Sequence, residues 1–161
     1  MRDFLNFIKT ALGLVLILWV LFFFCIGLKM APNDDMYPRI SAGDIVLYYK
    51  IDKVVNNQDV VVLKKNGTEY IGRVVAKGGD TVEVTDEENL LINGNLVIES
   101  NIFYPTPRYE GFADYPVTLA DDECFVLADK REGGEDSRYY GPVKIKEIKG
   151  TVVGLYRRSG M

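Results

Sequence analysis

Hydrophobicity changes character once along this chain. From Ala11 to Leu28 (ALGLVLILWVLFFFCIGL) there is no charge, and apolar side chains would cover every face of a helix. That run approaches the roughly 20 residues needed to cross a ~30 Å hydrocarbon core. Extended through Met30 over a snorkelling Lys29, it predicts a transmembrane anchor at 11–30 behind a cytoplasmic tail at 1–10. The following GLKMAP carries no A-x-A-like pair of small residues, so the run reads as an uncleaved signal anchor. Arg2 and Lys9 precede it and Lys29 follows, a bias that places the N-terminus in the cytoplasm and residues 31–161 outside the cell.

Beyond Asp44 the pattern shifts to short runs rich in Val, Ile and Tyr between turn residues, as in an all-β domain. DIVLYYKI, DVVVLKK, TEYIGRVVAK, TVEVT, ECFVLAD, VKIKEI and TVVGLYR are the strand candidates. Asn66-Gly67 and Asn93-Gly94 each sit between apolar runs and predict hairpins, since both central residues of the favoured turn need positive φ. Pro105, Pro107 and Pro116 predict irregular chain from about 102 to 116. The expected fold is mainly β, with antiparallel sheets over 31–161 and a smaller lobe near 85–121. There is no repeat and no linker long enough to separate domains.

Composition narrows the chemistry. An apolar content of 48% supports a real core. A net charge of −4 without a basic patch argues against nucleic acid as a partner. There is no histidine, which removes Ser-His-Asp and Cys-His nucleophile activation and the zinc sets that contain histidine. With only two cysteines a four-cysteine site is excluded too, so neither metal nor cofactor is expected. Cys25 lies in the anchor and Cys124 in ECFVL, in different compartments, and both read as small buried hydrophobes.

Four blocks remain. Asp35-Met36-Tyr37-Pro38 leads to Gly43-Asp44 and a strand; Gln58-Asp59-Val60-Val61-Val62 follows; then Tyr70 to Asp80 (YIGRVVAKGGD); then Ala128-Asp129-Lys130-Arg131 with Asp136-Ser137-Arg138-Tyr139-Tyr140-Gly141. In this order they resemble the type I signal peptidases, membrane-anchored Ser/Lys peptidases, over nearly the whole chain. The resemblance implies a β domain whose groove holds an extended peptide as an added strand, a mode that relies on main-chain hydrogen bonds.

The departures fall on the reactive positions. Asp35 stands where the family has its nucleophilic serine, Gly72 where it has the lysine base, and Gly134 where a serine holds that lysine. A serine needs a base within hydrogen-bond reach, and glycine has no group to take a proton. A carboxylate is a weak nucleophile toward an amide, with no acid in place to protonate the leaving amine. Loss of one member of such a unit costs about as much as loss of all. The expectation is therefore a protein that is not an enzyme. Asp34 and Asp35 are neighbours that point to opposite faces, Lys77 should face away from Gly72, and Ser41 is a turn residue before Gly43, so none replaces the unit.

The resemblance implies binding through Asp35, Met36, Tyr37, Pro38, Gly72 and Arg73, with Gly72 opening space in the groove floor. Asp129, Arg131, Asp136, Ser137 and Arg138 read as a structural cluster. Signal peptidase-like proteins lacking the dyad occur in pilus loci of Gram-positive bacteria, which implies a chaperone or assembly factor with a pilin or sortase as partner. The alternatives are an inactive partner of a true signal peptidase and a divergent active membrane peptidase.

Overall fold

The computed structural model describes residues 2–100, 102, 104–109 and 114–157. The apolar run forms α1 (Arg2–Cys25), whose segment Phe4–Cys25 is long and apolar enough to cross a membrane and buries none of its residues against the protein. Its bounds differ from the expected 11–30. The tail joins the helix because Phe4, Leu5, Phe7 and Ile8 continue the apolar surface. At the other end, residues 26–30 leave the helix as strand β1 (Ile26–Met30), which pairs antiparallel with β2 (Ile45–Tyr49) from Ile26↔Tyr49 to Met30↔Ile45. Gly27 permits this approach, since a β-carbon there would lie 2.2 Å from Tyr48 Cζ. Lys29 does not snorkel: its Nζ donates to Glu69 at 2.7 Å.

The Asn66-Gly67 hairpin joins β3 (Val60–Lys65) to β4 (Thr68–Lys77), with φ of 51° and 88° at the two turn residues. Asn93-Gly94, at 53° and 75°, joins β6 (Leu90–Ile92) to β7 (Asn95–Leu96). Together with β5 (Thr81–Val84) and β8 (Val117–Thr118) these make a four-stranded sheet in the order β7-β6-β5-β8. The smaller lobe thus begins at Thr81, ahead of 85, because TVEV pairs inside it rather than with β4. The lobe's residues 101, 103 and 110–113 lie outside the described residues.

The main sheet is completed by β9 (Glu123–Leu127), β10 (Val143–Lys144) and β11 (Ile148–Tyr156), in the order β1-β2-β11-β3-β4-β9-β10. VKIKEI does not form one strand: a 3₁₀ turn, Ile145–Glu147, separates β10 from β11. The polar loop from Lys130 ends in a single helical turn, α2 (Ser137–Tyr140), N-capped by the Asp136 side chain, which accepts from Arg138 N–H.

Among the described residues, three apolar clusters form the core. One packs Val61, Leu63, Val74, Val126 and Ile148. A second, around Phe125, Leu127 and Val82, joins the two sheets. A third, around Met36, Ile40, Val46 and Val62, seats the turn that carries Asp35. Cys124 is fully buried, and burial pushes its thiol up to about 12, so it is inert packing.

Candidate functional site

The turn after β1 positions Asp35. Asn33 Nδ2 donates to its carboxylate at 2.8 Å, and its backbone carbonyl accepts from Lys130 N–H at 2.8 Å, which fixes it against the loop that follows β9. Asp34 turns elsewhere and accepts from Ala42 N–H, so the two carboxylates do not form a dyad. Met36 is 2% exposed and packs with Ala31, Ile40 and Val46. It is therefore a core residue that anchors the turn and is not open to a ligand. Tyr37 is half exposed beside a cavity of about 310 Å³ shared with Asp34, Tyr104, Lys130 and Glu132. Pro38 is exposed in the same turn.

Gly72 is buried on β4 opposite Val61. The expected opening in the groove floor is absent: a β-carbon at position 72 would lie 2.5 Å from Val126 Cγ1 and 3.3 Å from the Leu127 carbonyl oxygen. The core residues of β9 pack directly against Gly72. Gly134 is similarly tight, since a β-carbon there would meet the Ala128 methyl at 2.6 Å and Lys130 O at 2.9 Å. Arg73, one residue on, alternates to the other face of the strand and lies 4% exposed. Its Nε and Nη2 donate to both Asp129 oxygens at 2.7 and 2.6 Å, and Nη1 donates to Gln58 O. Arg73 is thus committed to a bidentate ion pair and does not line the groove.

Arg138, with no exposed surface, clasps both Asp136 oxygens and donates to the carbonyls of Arg131 and Pro107. Arg131 donates to Ala128 O, Thr106 Oγ1 and Glu99, which ties the proline-rich segment of the smaller lobe to the main sheet. Ser137 Oγ accepts from Val126 N–H, and Asp136 accepts from Ala128 N–H. Glu99, Thr106 and Tyr109, whose ring centroid lies 4.4 Å from the Arg138 guanidinium carbon, were not legible as members of this cluster. They come from a loop 22 to 32 residues away in sequence, with no local signal of where it packs.

A cleft of about 510 Å³ opens beside Asp35, lined by Lys29, Asn33, Glu69, Tyr70 and Glu135 among others. Two carboxylates in it are poised oppositely. Hydrogen bonds from Lys149 and then Lys29 hold Glu69 down to about 2. Burial raises the Asp35 carboxyl above its ordinary value, and the nearby charges of Asp136 and Glu135 add to that, against the lowering hydrogen bond from Asn33. Burial also raises the Tyr70 phenol.

The model for signal peptidase, peptidase S26, matches residues 2–156. The chain belongs to the signal peptidase family. Among its relatives, signal peptidase I S of Bacillus subtilis is 32% identical over 76% of this chain and 72% of its own length. The inactive signal peptidase IA of Staphylococcus aureus strain COL is 25% identical over 90% of this chain and 86% of its own. The plant and cyanobacterial relatives are longer, and this chain spans only 37% to 59% of them. The crystal structure of a signal peptidase I from Enterococcus faecalis shares the fold, with a TM-score of 0.51 and 24% identity over 62% of this chain and 97% of that one.

Lys29 and Lys64 both line the cleft beside Asp35; Lys29 is bonded to Glu69, Lys77 is exposed at the far end of β4, and Gly72 and Gly134 carry no side chain.

Proposed function

We propose that this chain is a non-catalytic signal peptidase homologue, anchored by α1 with its N-terminus in the cytoplasm. Its β domain lies on the outer face of a Gram-positive membrane and holds an extended segment of a pilin or of sortase during pilus assembly. The observation that carries this reading is the pairing of Asp35 with a glycine at the base position, beside an open cleft of about 510 Å³. Strand addition depends on main-chain hydrogen bonds, so it survives the loss of the dyad. The pilus setting comes from the resemblance to the dyad-less members of pilus loci.

The relatives called inactive signal peptidase IA support a second reading, an inactive partner of a true signal peptidase. Two measurements separate these readings from a divergent peptidase. The full chain in detergent should leave Ala-x-Ala signal sequences uncut, and cleavage that disappears in Asp35→Ala would overturn the non-enzymatic reading. In cells, Thr68→Trp, which puts bulk on an exposed cleft-lining residue, should abolish pilus assembly. Asp35→Ala should leave assembly largely intact, because one partly solvated charge contributes only ~0–1 kcal/mol. Catalysis by Asp35 predicts the reverse order. Normal pili in both variants, with altered signal-sequence processing in the cell, would favour the signal peptidase partner.

A further inference from the structure

Two openings adjoin the bond between Lys130 and the Asp35 carbonyl. One is the cleft beside Asp35. The other is the cavity of about 310 Å³ between Asp34, Tyr37, Tyr104, Lys130 and Glu132, which shares none of its side chains with that cleft. A smaller cavity of about 140 Å³, lined by Glu88, Pro105 and Pro107, continues it, and Tyr104 and Glu132 belong to both. Together they form a groove between the turn after β1, the loop after β9 and the proline-rich segment of the smaller lobe.

The backbone of this groove is held in place by the protein's own bonds. Tyr37 N–H donates to the Asp34 carbonyl at 3.0 Å, which sets the turn that carries both side chains. Thr106 N–H donates to the Glu88 carbonyl at 2.8 Å, and Thr106 Oγ1 accepts from Arg131 Nη1 at 2.7 Å. Those two bonds join Glu88, the prolines on either side of Thr106 and the residue before Glu132 into one unit, pinned through the buried Thr106 and Arg131. A ligand that enters a groove already formed pays little to order it.

The lining is of two kinds. Tyr37 and Tyr104, 49% and 47% exposed, offer aromatic surface, and Pro105 and Pro107 add apolar surface. Among them stand the exposed carboxylates of Asp34, Glu88 and Glu132 against one ammonium, Lys130, and the smaller cavity has two of the carboxylates and no cation among its lining residues. Rings, prolines and carboxylates together suit a cation carried on an aliphatic stem: the stem packs on the apolar surface while the charge meets the ring and the carboxylates. An anionic ligand would meet three like charges, and no three acidic side chains among the described residues are gathered as a metal ion would need. We propose that this groove binds a lysine or arginine side chain of a partner polypeptide, with the cationic group in the smaller cavity beside Glu88, Glu132 and Tyr104. The inference goes beyond the cleft and stands whatever the cleft holds.

The test uses the full chain in detergent with its tyrosines labelled as fluorotyrosine, and as probe the end-blocked peptide Gly-Gly-Lys-Gly-Gly together with its arginine and norleucine counterparts. Fluorine NMR follows Tyr104 and Tyr37 in the groove and Tyr70 in the cleft, the signals being assigned by the three Tyr→Phe variants. The lysine and arginine peptides should shift the Tyr104 signal saturably, and norleucine should bind at least about tenfold more weakly because it keeps the stem and loses the charge. Glu88→Gln with Glu132→Gln should weaken the lysine peptide about fivefold or more, and Lys130→Gln should tighten it about twofold. Both glutamates are exposed, and thermal melts verify that the variants are folded. Norleucine binding as well as lysine, or an unchanged affinity in the double glutamine variant, would overturn the proposal. A saturable shift confined to Tyr70 would overturn it too, placing the cation in the cleft, so that the reading of the cleft and the reading of this groove can fail separately.

Discussion

Asp136 and Asp35 lie on loops tied together by the bond from Lys130 to the Asp35 carbonyl, yet their surroundings could hardly differ more. Asp136 is 2% exposed and receives Arg138 at both oxygens as well as the N–H groups of Ala128 and Arg138. Asp35 is partly open, accepts one side-chain bond from Asn33, and has the carboxylates of Glu135 and Asp136 nearby. The first is a satisfied buried charge that holds loops together; the second is a partly open charge at the edge of the cleft. The fold thus rests on the buried ion pairs, whereas the charge at the cleft is held by far fewer contacts.

The sharpest break between the two is deletion of a partner. Arg138→Met strands Asp136 in the core and should destabilise the domain by about 3–5 kcal/mol, read by denaturant or thermal unfolding of the full chain in detergent. Asp35→Ala, by contrast, should move stability by less than about 1 kcal/mol. A comparable loss in both would mean that Asp35 is also structural.

A smaller effect probes how tightly Gly72 and Gly134 are packed. Gly134→Ala forces a methyl against that of Ala128 and should cost about 1–3 kcal/mol. Ala128→Gly in the same chain should relieve the part of that loss due to the methyl contact, leaving the Lys130 carbonyl contact, a coupling that a double-mutant cycle measures directly. Strict additivity would show that the site retains room. By the same reasoning Gly72→Lys needs Val126 to yield, so reinstating Asp35→Ser and Gly72→Lys should produce a less stable protein and no detectable signal-sequence cleavage.

The smallest effects are opposite in sign and pH-dependent. Glu69 has a folded value of about 2, below its ordinary 4.5, so its contribution is present above 4.5 and fades as pH falls toward 2. Glu69→Gln should therefore lower the melting temperature at pH 7 and converge with the parent in acid. Asp35 is raised above 3.8, so its protonated form favours the folded state below 3.8 and that advantage is lost as pH rises through the folded value. Asp35→Asn should accordingly raise the melting temperature at pH 7 and make little difference below 3.8. Shifts of the same sign for both variants would contradict the contrast between a paired and an unpaired carboxylate.

What the chain determined locally was read correctly from it. Most of the apolar run forms a helix long and apolar enough to cross a membrane, Asn-Gly between β-branched runs favours a tight hairpin, and the spaced motifs point to a family framework. TEYIGRVVAK became β4 with the same ends. The rest depended on what lay across space. Residues 26–30 are apolar enough to extend the helix, and only pairing with β2 and the fit of Gly27 under Tyr48 made them a strand. Met36 and Arg73 belong to family motifs, but a motif does not tell which side of a turn or strand faces the core, and both turned inward. Whether a glycine leaves a hole depends on the neighbours across the sheet: Val126 stands against Gly72 and Ala128 against Gly134, contacts set by the β4 to β9 register and the loop closure rather than by any local pattern.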